Sequence, residues 1–378
     1  MAALSEEQTM IRDQAKSWAS EQAPVQKFRE MRDSAVEQRF SATTWAEMIE
    51  MGWTGILVPE EFGGSDLGYL TFGVILEELG RQLTASPLFA SALVGTSAIL
   101  LGGNDEQKQS LLPKVVDGSE VLTLALEEGN HHEPTRIELQ AKASNSGFKL
   151  SGHKTFVLEG MAATTFIVAA RTSGKAGDQS GITLFLVPAD SAGLTRSALQ
   201  TFDSRGYAKL SFDGVEVGSD AIIGSLDQGF SLLEATLDRA RAGLGAEMMG
   251  TAAQAFDMTL DYLKTREQFG NVIGSFQALG HRAAGLFSSM ELSRSCMEAA
   301  LQAIDNGDDN IAEVCSLSKA KMGAFLHEMS NQLIQIHGGI GMTDEFDAGF
   351  YLKRARLLEA AFGNQAYHRN RYATLLGF

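Results

Sequence analysis

The spacing of apolar residues changes character twice along this chain. Over the first 120 residues it follows the three- and four-residue interval of amphipathic helices. Ser5, followed by Glu6 and Glu7, opens one helix with a capping residue and an acidic first turn. Further helices are expected over residues 41–51, 71–81, 86–101 and 105–116, with a Pro/Gly-punctuated connector at 52–67. The pattern then shortens. Runs at 148–157, 165–170, 182–187 and 209–217 are partly alternating and rich in β-branched or aromatic residues. Turn clusters such as 144–147 and 172–181 separate them, which predicts an antiparallel β domain. From about Asp227 the helical period returns. Residues 230–264, 276–304 and 311–336 have lengths suited to an antiparallel four-helix bundle once a shorter C-terminal helix joins them. The expected order is a helical domain (1–120), a β domain (121–226) and a helical bundle (227–378), an α+β chain without internal repeats.

Composition narrows the function classes. At 378 residues and 44% hydrophobic content, the chain can bury a substantial core. A net charge of −16 argues against sequence-independent nucleic-acid binding, which needs a basic footprint. Lys353, Arg354, Arg356, Arg369 and Arg371 do crowd the C-terminal end, as solvated helix faces or as partners for phosphate. Cys296 and Cys315 make neither a disulfide framework nor a zinc site, so a reducing compartment is expected. The N-terminus, MAALSEEQTMIRDQ, is unlike a signal or transit peptide, and no 18-residue apolar run spans a membrane. Cytoplasm is the expected location.

Motifs for nucleophile, metal or dinucleotide-fold chemistry are missing. No G-x-G-x-x-G follows a strand, and Gly243 and Gly245 lie inside a helix, as packing positions. His131, His132 and Glu133 are sequence neighbours and read as a polar loop rather than a metal site. Two segments carry more. YLKTREQFGNVIGSFQ (262–277) ends a long helix with a cation and a glycine turn, and IQIHGGIGMTDEF (334–346) is punctuated by glycines.

Together with GWTGILVPEEFGG (52–64), EELGR (77–81), FKLSGHKTFV (148–157), LSFDGVEVGSDAIIG (210–224) and HGGIGMTDEFDAGFYLKRAR (337–356), these segments resemble the acyl-CoA dehydrogenase family over nearly the whole length. The resemblance implies that family's fold and an FAD enzyme. It would introduce a double bond between the α and β carbons of an acyl-CoA and pass electrons to an electron-transferring flavoprotein. Family flavins lie across a subunit interface. The groups that reach a neighbour's flavin are implied here as Arg266, Phe269, Gln277, Gln335, Gly338 and Gly339. Arg266 suits a pyrophosphate, and the glycines let phosphate approach the backbone.

The positions that hold a chain's own flavin ring are altered. The family's T-E-P turn reads Leu126-Glu127-Glu128, no G-S-D follows, and its aromatic-x-Thr reads Phe156-Val157-Leu158. The E-G-T motif carrying one catalytic base aligns on Phe362-Gly363-Asn364, and the other base position is Ala240. Glu247, two turns beyond Ala240 in an apolar setting, is the candidate replacement base; a buried Glu paired with an Arg or a helix partner is the alternative. Asp238 and Glu359 are weaker candidates for the base, and Asp238 and Arg241 are the expected substrate-binding pair. Small residues Gly243, Gly245 and Ala246 either leave room for a wide acyl group or mark tight helix contacts. The chain resembles the divergent smaller subunit of bacterial heterotetramers, of the type called pimeloyl-CoA dehydrogenase small subunit. Three readings follow: a subunit completing a homologous partner's FAD site, a self-sufficient homotetramer using Glu247, or a catalytically silent scaffold.

Overall fold

The structure, a computed structural model, describes residues 4–34 and 36–378; the first three residues of the N-terminal stretch lie outside the described residues. The chain divides into two compact units. One comprises the chain up to Arg29, Tyr69–Thr84 and Arg241–Phe378; the other comprises Glu30–Gly68 and Ala85–Ala240.

In chain order the first helices are α1 (Glu6–Gln22), α2 (Val25–Asp33), α3 (Ala42–Glu50), α4 (Gly68–Arg81), α5 (Thr96–Gly102) and α6 (Asp105–Val116). The start of α1 is a capping box: the Gln8 amide donates to Ser5 Oγ, while Gln8 Oε1 accepts from the Ser5 amide. Asn104 and Gln107 repeat the device at α6. Helix α2 was not expected, because its single buried residue, Phe28, leaves no apolar stripe to read. The expected helix over 86–101 begins as a π-helical stretch, Phe89–Gly95, before α5.

The β region holds β1 (Leu122–Ala125), β2 (Gln140–Ser144), β3 (Gly147–Leu158), β4 (Thr165–Arg171), β5 (Ile182–Pro188), β6 (Leu194–Leu199), β7 (Tyr207–Val217) and β8 (Ile222–Ile223). They form one sheet in the order β6-β7-β3-β2-β4-β5-β8, with β1 beside β4. The sheet is mixed rather than antiparallel throughout, since both β1 and β2 run parallel to β4. Strand β1 is buried along its whole length, so it shows a continuous apolar run instead of the alternation that betrays a half-exposed strand. A cluster of Leu150, Phe166, Val168, Phe185, Leu210 and Val215 fills the core of this region.

The remaining elements are α7 (Gly229–Thr265), the short strands β9 (Glu267–Gln268) and β10 (Asn271–Val272), then α8 (Gln277–Asn306), α9 (Ile311–His337), α10 (Ala348–Ala360) and α11 (Gln365–Leu375). Two short helices thus follow the three long ones, where one was expected. Helix α9 packs against α8, α10 and α11. Helices α4 and α7 meet backbone to backbone. A Cβ on Gly80 would strike the Glu247 carbonyl, and one on Gly250 would strike that of Glu77. A Cβ on Gly245 would lie in ordinary contact with Ser318 and Met297 side chains. At Gly80 and Gly250 the missing Cβ is what permits the close approach of the two helices.

Candidate functional site

The turn that ends α7 is built from unusual backbone. Phe269 and Gly270 join β9 to β10 with φ of +54° and +75°. Two successive positive φ angles define a tight hairpin that ordinarily takes Asn-Gly. Here a phenylalanine takes the strained position and is 92% exposed, so its ring gains nothing by burial in this chain. The guanidinium of Arg266 is exposed and makes no ion pair or side-chain hydrogen bond among the described residues. Gln277, at the start of α8, and Gln335, near the end of α9, are exposed as well.

Gly338 closes α9 with φ +61° and ψ −133°, and its amide donates to the Ile334 carbonyl. A Cβ on Gly338 or Gly339 would meet nothing within 4 Å, so the backbone there is open to an approaching group. Beneath these residues Leu263, Ile273 and Ile336 form an apolar cluster that joins the ends of α7 and α9 and the segment before α8. The structure therefore gathers Arg266, Phe269, Gln277, Gln335, Gly338 and Gly339 around one small core, with their polar and aromatic groups turned outward.

The turn between α10 and α11 is held by three donors. Lys319 is fully buried on α9, and its ammonium nitrogen donates to the carbonyls of Leu358, Glu359 and Gly363 at 2.9–3.1 Å. Burial pushes its pKa down to about 7, and the neighbouring Arg241 charge pushes the same way. Arg241 Nε donates to the Phe362 carbonyl at 3.3 Å, and His368 Nε2 donates to the same oxygen at 3.0 Å. Phe362 itself adopts φ +54°. Arg241 is buried with its guanidinium over the Tyr367 ring, so it grips this turn.

Glu247 is also buried, and its Oε1 lies 3.3 Å from Arg354 Nη1, itself buried. Glu247 thus takes part in a buried ion pair with an arginine. Ala240 and Asp238 are buried on α7, and Glu359 is bound to Arg356 and His327 at 2.6 and 2.9 Å.

In the β region, Leu126 and Leu158 are buried apolar side chains. Glu127 pairs with His132 at 2.6 Å, and Glu128 pairs at 2.6 Å with Lys154, whose nitrogen also donates to the Leu126 carbonyl. Burial lowers the Lys154 pKa, and Glu128 opposes that shift. Phe156, at φ +49° beside an irregularity in the β3–β7 pairing, packs edge-on against Tyr207. Sequence reasoning missed Lys319, Lys154 and His337, which the fold buries. A lysine within a helix or strand ordinarily marks a solvated face, so their own residue types gave no signal.

Helical and mixed-sheet regions in this order, with polar and aromatic groups clustered around glycine turns, are those of flavin-dependent acyl dehydrogenases. Comparison with known proteins agrees. Residues 5–119, 125–215 and 227–376 match the N-terminal, middle and C-terminal domains of acyl-CoA dehydrogenase. The mitochondrial isovaleryl-CoA dehydrogenase of Solanum tuberosum is 32% identical over 86% of this chain and 80% of its own length. The Tcur3481-Tcur3483 steroid ACAD structure superposes with a TM-score of 0.87 at 31% identity, covering 98% of each chain. A chain of the ChsE4-ChsE5 complex from Mycobacterium tuberculosis gives 0.89 at 26% identity over 100% of this chain and 99% of that one. The chain belongs to the acyl-CoA dehydrogenase family, FAD-dependent oxidoreductases acting on CH–CH bonds. Among the described residues no helix is long and apolar enough to cross a membrane.

The residues present fit FAD unevenly. An exposed, unpaired Arg266, the projecting Phe269 ring and the open Gly338–Gly339 backbone suit a diphosphate and an aromatic base arriving from outside the chain. Leu126 and Leu158 offer a flavin ring no side-chain donor.

Proposed function

We propose that this chain is one subunit of a two-chain FAD-dependent acyl-CoA dehydrogenase. In this reading it completes an FAD site held mainly by a homologous partner. The observation that carries it is the contrast within the chain. Arg266, Phe269, Gln277, Gln335, Gly338 and Gly339 are exposed, and they occupy the positions at which the family resemblance implies diphosphate and adenine contacts. The positions for a flavin ring of its own carry Leu126 and Leu158, and those for a catalytic base carry Phe362 and Ala240. Likeness to chains of the Tcur3481-Tcur3483 and ChsE4-ChsE5 pairs supports a two-chain assembly.

Arg266, Phe269, Gly338 and Gly339 would help hold an FAD that supplies a hydride acceptor for the β carbon of an acyl-CoA thioester, with an electron-transferring flavoprotein as the final oxidant. Proton removal falls in this reading to the partner chain, because the positions of the family's two bases carry Phe362 and Ala240 and the Glu247 carboxylate is engaged by Arg354. Asp238 stays within this reading as a substrate-side residue, and Arg241 as the residue that fixes the Phe362 turn. The visible spectrum of purified protein tests the proposal. The chain expressed alone should be colourless and should turn yellow when co-expressed with a homologous acyl-CoA dehydrogenase chain. Stoichiometric FAD on the isolated chain overturns it.

A further inference from the structure

His337 is the last residue of α9, immediately before Gly338, and is 3% exposed. Its Nδ1 lies 2.7 Å from the Leu333 carbonyl. A carbonyl only accepts, so Nδ1 carries the proton and Nε2 is left as an acceptor. Nε2 is buried without a hydrogen-bond partner. Burial pushes the imidazole pKa down, which keeps the ring neutral. A buried nitrogen without a partner is costly, so a role in hydrogen bonding does not account for the ring's placement.

Its ring contacts do. The imidazole lies between Tyr262, at 4.3 Å between centroids and 30° between planes, and Phe346, at 4.7 Å and 36°. Tyr262 stands one helical turn before Arg266, and its carbonyl accepts from the Arg266 amide at 2.9 Å. Phe346 follows the 3-10 turn of Gly338–Met342 and precedes α10. Gly341 is small at the point where a Cβ would press on the His337 side chain. The three stacked rings therefore join three separate segments: the end of α7 that carries Arg266, the end of α9 that carries Gly338 and Gly339, and the segment leading into α10.

We infer that His337 is a positioning residue that clips the Arg266 arm to the Gly338–Gly339 turn, fixing the spacing across which the two receive the diphosphate of a neighbouring chain's dinucleotide. The inference rests on the proposed function and adds to it a residue that touches no ligand. The Nδ1 bond to the Leu333 carbonyl sets the orientation of the ring. A phenylalanine keeps the stacking and loses only the Nδ1 bond.

The test is the rate of FAD release from the co-expressed two-chain complex, followed by flavin fluorescence after dilution. His337→Ala should release FAD about tenfold faster than the parent, as should Arg266→Ala. His337→Phe should stay within about threefold of the parent, a rescue that simple loss of packing volume would also permit. Tyr262→Leu separates the two, because it fills similar space without a ring and should release FAD as fast as His337→Ala. It also stands in if His337→Ala does not fold. If Arg266→Ala accelerates release while His337→Ala or Tyr262→Leu does not, the clip is overturned and the flavin site survives. If Arg266→Ala leaves release unchanged, the flavin reading fails and the clip fails with it.

Discussion

Phe269 takes a backbone position that suits its residue type poorly, and the proposed function gives its exposed ring a ligand to meet. A two-residue hairpin with both φ angles positive favours Asn-Gly, and a non-glycine residue in this region costs about 1 kcal/mol or more. Phe269→Asn should therefore leave chain stability unchanged or raise it by up to about 1 kcal/mol in urea unfolding. The same variant should lower the flavin content of the co-expressed complex by at least half; unchanged flavin content would remove Phe269 from the site. Lys319 is the opposite case, a residue whose work is all internal. Its unfolded-state pKa is 10.5, and the folded value is about 7. Between these values the unfolded chain binds the extra proton, so stability rises with pH, at up to about 1.4 kcal/mol per unit. Lys319→Met should cost about 3 kcal/mol at pH 7 by stranding carbonyls at the end of α10. The gap between parent and variant should widen from pH 7 to pH 9 in paired urea melts; parallel pH profiles would contradict the shift. Arg266 and Gly338 could be singled out in the sequence because the family resemblance falls on a cation and a glycine at helix ends. Lys319 and His337 could not, because their roles exist only once α9 is packed.

At the scale of elements, the longest and most periodic segments were the most legible. Helices α7, α8 and α9 fall within a residue or two of the expected 230–264, 276–304 and 311–336. Strands β3, β4, β5 and β7 were anticipated for the same reason, while β2 and β6 were not: they are short, largely exposed and carry little apolar alternation. The helix contacts could be stated only as alternatives, since a glycine inside a helix is equally compatible with ligand space and with close packing. The α4–α7 contact adds a close-packed glycine outside those alternatives, Gly250. Gly250→Ala would drive a methyl into the Glu77 carbonyl, a backbone group that cannot turn aside. It should cost 2 kcal/mol or more, at the upper part of the roughly 1–3 kcal/mol range for overpacking. Gly285→Ala is the matched control: it lies in α8 with nothing within 4 Å of the new methyl. Helix propensity predicts that it stabilises by about 0.5–1 kcal/mol. Equal effects of the two variants in urea unfolding would mean that α4 and α7 are not in backbone contact.

Across the whole molecule, a chain with net charge −16 keeps large apolar side chains in solvent on its C-terminal helical unit. Phe269, Phe287, Leu292, Ile340 and Met342 are each 40% exposed or more. Single exposed apolar residues are ordinary, but several on the unit that carries the exposed groups proposed to meet FAD point to a covering surface. The proposed two-chain assembly supplies one, and it can be tested apart from flavin. Phe287 on α8 is 51% exposed and lies tilted by 34° against Phe256, at 6.2 Å between centroids; Leu292 is 61% exposed. Aspartate at both positions should leave the isolated chain's melting temperature within about 2 °C, since little burial is lost. In a co-expressed complex the same pair would place two charges in an apolar contact, each costing several kcal/mol when left unpaired. Affinity capture of the tagged variant should then recover at most a tenth of the homologous partner that the parent recovers. Full recovery, with the fold intact, would place the partner on a different face and leave these side chains without a role in assembly.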